Sequence, residues 1–92
     1  MPCPVTDAEI TAQLAVWLGP TVAGRLTTRA QRRAAHDVFR LIADGERLDT
    51  ARAWMVGMNP HLGDDSPLLA IQADRHRDVM AAARAYLNGV PA

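Results

Sequence analysis

The stretch that decides the fold runs from Trp54 to Leu69 and reads WMVGMNPHLGDDSPLL. An amphipathic helix leads into it, and a short apolar helix leaves it. Asn59-Pro60 predicts a turn between them, because proline fixes its own φ and moves the preceding residue out of the α region. Gly57, which lies just before this turn, is predicted to end the first helix in a left-handed conformation.

A second turn is predicted over residues 63–66, which read Gly-Asp-Asp-Ser. Ser66-Pro67 is typical of a helix start, with an N-cap serine followed by proline at the first helical position. Leu62 is the one apolar residue between two polar turns, so we expect it to insert into a core. The stretch, called the connector below, is therefore predicted to be ordered and to lock the two helices together.

Apolar residues recur at helical spacing on both sides of the connector and predict an all-α fold, a small bundle of four main helices plus one or two short ones. The main helices are expected between Thr6 and Gly19-Pro20 and over residues 29–43, 50–56 and 75–88, and the short ones over 20–26 and 67–72. The expected capping residues are Thr6 with Glu9, Thr28 with Gln31, Asp49, Asp74, Gly45 and Gly89. We find no strand pattern and no internal repeat.

The helix over residues 29–43 is the longest of the predicted helices. Its inner stripe is predicted to contain Ala34, Val38, Leu41 and Ile42, with Ala35 and Phe39 at the margin. On the first helix, Trp17 is expected to pack in the core.

Length and composition bound the class of protein. The 92 residues fit one domain, residues 1–92, and 49% hydrophobic residues exclude a disordered chain. A formal net charge of zero gives no global attraction to nucleic acid or membrane. Cys3 is the only cysteine, which favours a reducing cytoplasmic location, and we expect neither a signal peptide nor a membrane span.

The polar residues do not form a recognisable catalytic or metal-binding pattern. His36, His61 and His76 lack zinc-ligand spacing and are expected at the surface. Asp64-Asp65 are adjacent in a turn, whereas acid–base catalysis needs carboxylates across a cleft. We therefore expect no enzyme activity, no cofactor and no metal.

A basic segment supports a different hypothesis. Arg25, Arg29, Arg32 and Arg33 lie close together and are candidates for contacts with DNA phosphates. The alternative is a solvated helix face that pairs in part with Asp37. A helix-turn-helix needs a second helix free to enter the major groove, whereas the segment after Leu26 passes directly into a helix whose other face is predicted to be in the core.

The connector resembles the toxin-binding domain of Xre/MbcA/ParS-type antitoxins. The matching residues are the lead-in Ala51-Arg52-Ala53-Trp54, then Asn59-Pro60, Leu62-Gly63 and Pro67-Leu68, and the closing helix before Gly89. The resemblance covers roughly residues 33–89 and makes residues 33–92 the toxin-binding-like part. Residues 1–32 resemble a shortened helix-turn-helix region, in which the recognition helix and its loop are missing or merged.

The resemblance implies a non-catalytic antitoxin of a toxin–antitoxin system. Its partner would be a RES-type toxin, which degrades NAD+, and the chain would dock helices on the toxin and occlude its active site. The implied partner-binding residues are Arg52, Trp54, Met58, Asn59, Pro60, Leu62, Pro67, Tyr86, Asn88 and Val90. Residues 54–69 would dock, and residues 86–92 would plug the route to the NAD pocket.

Several alternatives stay open at this stage. Trp54 and Leu62 are equally consistent with core support, and the C-terminal residues with simple fraying. The chain is compatible with a homodimer or a hetero-oligomer. The competing functions are a small DNA-binding transcriptional regulator, or a phage-borne or orphan homologue that binds another host protein.

Overall fold

The computed structural model describes residues 6–89, which form helices joined by short turns and contain no β-strand. In chain order the helices are α1 (Asp7–Leu18), α2 (Pro20–Ala23), α3 (Arg29–Gly45), α4 (Leu48–Val56), α5 (Pro67–Gln72) and α6 (His76–Leu87), with a 3₁₀ turn at Pro60–Leu62 between α4 and α5. Four helices are long and two are short, so the predicted all-α class is confirmed.

Local capping explains where three helices begin. A side-chain oxygen accepts from the backbone N–H three residues later at Thr6 (Glu9, 3.2 Å), Thr28 (Gln31, 3.1 Å) and Ser66 (Leu69, 3.1 Å). These three predicted N-caps are confirmed. The Gln31 side chain reaches one residue further back than expected, because its Oε1 accepts from the N–H of Thr27 at 2.9 Å.

The core lies around α3, which contacts α1, α4, α5 and α6. The predicted inner stripe of α3 is rotated, since Ala35 and Phe39 are fully buried while Ala34 and Leu41 are only half-buried. The reason is aromatic packing: the rings of Phe39 and Trp17 stack with centroids 4.5 Å apart, which draws that side of α3 against α1. Trp17 is half-buried against the core, so its predicted core packing is confirmed.

Gly45, Gly57 and Gly89 each lie at the C-terminal end of a helix. Gly57 has φ −85° and ψ 158°, so it leaves α4 in an extended conformation and the left-handed prediction is wrong. Gly45 is the last residue of α3, so its predicted place at the end of this helix is confirmed, and a Cβ added there would lie 2.8 Å from Cδ2 of Leu87. Gly45 therefore allows α6 to approach α3 closely. Gly89 has φ 72° after the C-cap Asn88, as expected of a residue that ends α6.

Asp49 and Asp74, which were predicted as N-caps, lie close to the N-cap positions of α4 and α6 but do not occupy them. Helix α4 begins at Leu48 after the N-cap Arg47, so Asp49 lies in the first turn. There its negative charge interacts favourably with the positive end of the helix dipole. Asp74 has φ 62° and lies before the N-cap Arg75 of α6, so it shapes the turn and does not cap the helix.

Candidate protein-docking site

The backbone of the connector is fixed by Asn59, which is only 7% exposed. Its side-chain Oδ1 accepts from the N–H of His61 at 3.0 Å. Its carbonyl accepts from the N–H groups of Leu62 (2.9 Å) and Asp64 (3.0 Å), and its own N–H donates to the carbonyl of Asp65 at 3.2 Å. Asn59 thus makes four hydrogen bonds that tie the two turns of this irregular segment together.

Leu62 and Arg75 attach the connector to the rest of the fold. Leu62 is fully buried, as predicted. The Arg75 guanidinium, from the start of α6, lies 3.5 Å from the Leu62 carbonyl and 3.5 Å from the Asp65 carboxylate, and its Nε pairs with Asp78 at 3.1 Å. Leu62 therefore anchors the connector in the core, and the Arg75 guanidinium holds it at the surface.

A groove of about 540 Å³, the connector groove, opens beside this segment. It is lined by Val22, Arg25, Val56, Met58, Asp64, Ser66, Leu68 and Leu69. Three of the large apolar side chains that are exposed within residues 6–89 converge here: Val56 (52% exposed), Met58 (79%) and Leu69 (52%). Scattered exposed apolar residues need no explanation, but a cluster on one groove is typical of an interaction site.

Opposite charges flank the groove. Gln72, the last residue of α5, donates from Nε2 to the carbonyl of Arg25 at 3.2 Å, so Arg25 lies at the C-terminal end of α5. Asp64 lies two residues before Ser66, the N-cap of the same helix. Neither Arg25 nor Asp64 has a side-chain ion pair with another residue of the described part. Both charges are therefore available to a ligand.

The structure separates the residues predicted to bind a partner into three groups. Arg52, Met58, Pro60, Tyr86 and Asn88 are exposed, and Trp54 is half-buried. Asn59, Leu62 and Pro67 are buried, so in this conformation they hold the connector in shape and present almost no surface. Val90 lies outside the described residues. Partner contact by the exposed group stays a prediction.

Two of the exposed residues already have intramolecular contacts. The Arg52 guanidinium donates from Nε to the carbonyl of Trp17 at 2.6 Å and pairs with Asp49 at 3.2 Å, which joins α4 to the end of α1. Tyr86 lies against Trp54 with ring centroids 6.2 Å apart and a tilt of 45°. A partner that used Arg52 would therefore compete with an existing hydrogen bond, whereas Met58 carries no such cost.

The basic segment does not form one free cationic surface. Arg29 pairs with Asp7 at 2.7 Å, and Arg32 is half-buried and donates to the carbonyl of Leu26 at 3.2 Å. Arg33 is exposed, and Arg25 lines the connector groove. The outer face of α3 also carries the exposed Asp37 and Asp44, so its charge is mixed.

His36 is 3% exposed, and the surface position predicted for it is wrong. Its ring stacks on Trp17 with centroids 5.2 Å apart, and its Nε2 lies 2.5 Å from Oε1 of Gln13. Burial lowers the pKa of His36 below the ordinary 6.5, Asp37 at 3.7 Å partly offsets this, and Arg40 and Arg33 add to the lowering. The residue acts as a neutral link between α1 and α3.

Other parts of the described chain offer weaker sites. A larger groove of about 630 Å³ lies between α1, α2 and the start of α3. Its large apolar residues, Leu14 and Leu26, are already buried in the core, so a ligand there would gain little apolar contact. Residues 6–89 contain no cluster of His, Cys, Asp or Glu suited to a metal ion. No helix among them is long and apolar enough to span a membrane.

The docking segment predicted over residues 54–69 includes Val56, Met58 and Leu69, of which only Met58 was named as a partner-binding residue, and Val22 of α2 was not predicted to join them. A signal was present for Val56, which directly follows the buried Met55 and therefore points about 100° away from it on the helix. The same holds for Leu69 after the buried Leu68. The exposure of Val56 and Leu69 was thus readable from the helical period, but not their meeting with Val22 of α2.

No protein-family model matches this chain, and no match was found among curated proteins or solved structures. The resemblance to antitoxins therefore stays a prediction, and the interpretation of the site depends on its geometry.

Proposed function

We propose that this chain is a non-catalytic binding protein of the antitoxin type, which neutralises a RES-type NAD+-degrading toxin by docking on it. The observation that carries the proposal is the connector groove, where Val56, Met58 and Leu69 are half or more exposed beside a backbone that Asn59 and Leu62 hold in place. The antitoxin resemblance, which led to the same segment from sequence, supplies the kind of partner.

The energetics of the groove suit a binding surface. Completing the burial of each of its three exposed apolar side chains contributes on the order of 1 kcal/mol. The connector is already ordered through its hydrogen bonds, so binding does not have to restrict a flexible loop, and that keeps the entropic cost low. Met58 adds an unbranched, adaptable side chain of the kind that is common on binding surfaces.

The proposed inhibition has a second component at the end of α6. The resemblance assigns residues 86–92 to the occlusion of the toxin's NAD pocket. Asn88 and Gly89 end α6, and Gly89 with φ 72° turns the chain out of the helix direction. Residues 90–92, including Val90, lie outside the described residues, so their part in occlusion stays a prediction.

Protein docking is favoured over DNA binding by the state of the arginines. Arg29 and Arg32 have intramolecular partners, and the acidic side chains of Asp37 and Asp44 share the outer face of α3. Phosphate recognition would have to displace an ion pair and tolerate two nearby carboxylates. The apolar side chains of the connector groove, in contrast, would not stabilise contacts with a phosphate backbone, which depend on basic residues.

The proposal is tested by co-expressing this chain in bacteria with a panel of RES-domain toxins, including any toxin that is encoded beside its gene. Intracellular NAD+ and growth are measured, and the two proteins are purified together. We expect NAD+ to be preserved and a stable complex to form with at least one toxin. Loss of NAD+ with every toxin, without any complex, would refute the proposal. Titration against the chain's own promoter DNA at two salt concentrations tests the DNA-binding alternative.

A further inference from the structure

We infer that the connector groove binds one amphipathic α-helix of the protein partner, oriented parallel to α5 with its N-terminus at Asp64 and its C-terminus at Arg25. This inference rests on the proposed protein-binding function and deepens it by naming the secondary structure, chemistry and direction of the bound segment.

The lining of the groove selects among the common modes of peptide recognition. Strand addition needs a free sheet edge, and residues 6–89 contain no strand. Polyproline recognition needs an aromatic-lined groove, and none of the lining residues is aromatic. Phosphopeptide recognition needs an arginine cluster, and Arg25 is the one arginine in the lining. Apolar walls of Val22, Val56, Met58 and Leu69 fit helix-in-groove recognition, in which a helix inserts apolar side chains at positions i, i+3, i+4 and i+7.

The flanking charges define the direction of the bound helix. Arg25 lies at the C-terminal end of α5 and Asp64 just before its N-terminal end. The six residues of α5 span about 9 Å at 1.5 Å per residue. A helix carries partial positive charge at its N-terminus and partial negative charge at its C-terminus. A helix parallel to α5 therefore places each end against the opposite charge, and the reverse orientation opposes like charges.

The chemistry of the partner segment follows from these contacts. Its inner face carries apolar residues over about two turns. A basic residue near its N-terminus would pair with Asp64, and an acidic residue near its C-terminus would pair with Arg25. Because both protein side chains lack ion pairs within residues 6–89, neither has to give up an existing partner.

The probes for the experiment are two designed helical peptides of about 15 residues, or four turns. Both carry the same leucine stripe at i, i+3, i+4 and i+7. The forward peptide has lysine directly before the leucine stripe and glutamate directly after it, about 13 Å apart along the helix, and the reversed peptide has the two exchanged. Capped termini remove the end charges, and a side-chain crosslink on the outer face equalises helicity, which circular dichroism verifies. Affinity is measured by fluorescence anisotropy with the full chain.

The first measurement tests whether the forward peptide binds in the connector groove. Met58→Asp places a charge among the apolar walls and is expected to weaken binding of the forward peptide at least tenfold. Val16→Asp is the matched control, because Val16 is 77% exposed on α1, outside the groove lining. It is expected to change affinity less than twofold. Equal effects of the two substitutions would place binding outside the groove and overturn the inference.

The second measurement tests the direction in which the helix binds. The forward peptide is expected to bind about fivefold tighter than the reversed one, as two partly solvated charge pairs allow. Arg25→Glu should remove or invert this ratio, and Asp64→Asn should reduce it to about twofold while retaining a residue that tolerates φ 68°. Because the same two peptides are compared on each variant, residual differences in their helicity cancel. A ratio unchanged by Arg25→Glu would overturn the assigned direction.

The remaining outcomes separate this inference from the proposed function. Absence of binding by either peptide up to the order of 1 mM overturns the helix-binding inference. Dimerisation of the chain that is abolished by Met58→Asp would identify a second copy as the occupant and also overturn it. If the chain neutralises a RES toxin and Met58→Asp neutralises it equally well, the function stands and the groove inference fails. If the forward peptide binds as described but no RES toxin is neutralised, the groove stands and the proposed function fails.

Discussion

In the layer between α1 and α3, Trp17 stacks on both Phe39 and His36, and the apolar side chains around them are withdrawn from solvent. In the connector, hydrogen bonds centred on Asn59 join the two turns, while the Met58 side chain is 79% exposed. The first region uses side-chain packing to stabilise the fold. The second uses hydrogen bonds to hold a shape and leaves apolar side chains outside. This contrast separates residues that the fold needs from residues that remain available for a partner.

The largest effect is expected from Phe39→Ala, which removes the fully buried ring that stacks on Trp17. The lost burial and the resulting cavity should lower the free energy of unfolding by about 3–5 kcal/mol. Urea denaturation followed by circular dichroism measures this. Phe39→Leu is the control and should lose less, because leucine fills part of the cavity. A loss below 1 kcal/mol for the alanine variant would show that the α1–α3 layer is not the main source of stability.

A smaller loss is expected at the centre of the connector. Asn59→Ala removes the side-chain acceptor of the His61 N–H, and capping losses of this kind cost about 1–2 kcal/mol. Asn59→Asp keeps an acceptor at the same place and should retain most of the stability. Hydrogen exchange of the Asp64 amide, which donates to the Asn59 carbonyl, reports the connector directly. Equal exchange in the alanine variant and the native chain would contradict the assigned role.

These regions also differ in how far sequence predicted them. The caps at Thr6, Thr28 and Ser66 involve residues three positions apart, so a local pattern is enough to identify them. Gly45 ends α3 as predicted, but its close contact with Leu87 of α6, a residue distant in sequence, was not predicted. The burial of His36 depends on Trp17 and Gln13 of α1 in the same way. Non-local contacts decided each of these cases.

The candidate site was predicted in part for the same reason. The connector and the burial of Leu62 followed from turn residues and one isolated apolar position, all within the stretch itself. The groove also needs Val22 and Arg25, which α2 and the segment after it bring to α5. Nothing in the sequence near Val56 or Leu69 indicates that Val22 lies beside them. The exposure of Val56 and Leu69 could therefore be predicted from the helical period, but the groove that they form with Val22 could not.

Acidification should affect the α1–α3 layer through His36. The pKa of this histidine is lowered in the folded state by burial, while the unfolded chain has the ordinary value of 6.5. Above 6.5 both states are neutral and stability is full. As the pH falls below 6.5 the unfolded state binds the proton first, so stability declines until the folded pKa is passed, with a slope of at most about 1.4 kcal/mol per pH unit.

Unfolding measured at several pH values tests this dependence. His36→Gln should flatten the decline below pH 6.5, and His61→Gln is the matched control because His61 is exposed in the connector. Asp37, Arg33 and Arg40 are the charged groups that act on His36, and none of them is altered by either substitution. A decline that persists unchanged in His36→Gln would assign the pH dependence to other groups.

Arg75→Ala is expected to have a modest effect on stability, about 0.5–1 kcal/mol, because its ion pairs with Asp65 and Asp78 are partly exposed. Its effect on the connector should be clearer, since the guanidinium also lies against the Leu62 carbonyl. Faster hydrogen exchange at the Asp65 amide, which donates to that carbonyl, would report this loosening. Arg75→Lys retains the charge but not the planar fork and should give an intermediate result.

The smallest effect on stability is expected from Met58→Ser, and this substitution separates the two regions most directly. Met58 is 79% exposed, so the folded state gains little from its side chain, and the free energy of unfolding should change by less than about 0.5 kcal/mol. Binding to the partner should nevertheless weaken, because Met58 has most of its apolar surface left to bury. The two quantities are measured by urea denaturation and by affinity for the toxin or the forward peptide. If Met58→Ser instead destabilises the fold as much as Asn59→Ala does, Met58 contributes to the packing of the fold. The proposed contrast between the connector and the α1–α3 layer would then be wrong. If stability holds and binding falls, the groove consists of apolar surface that folding does not require.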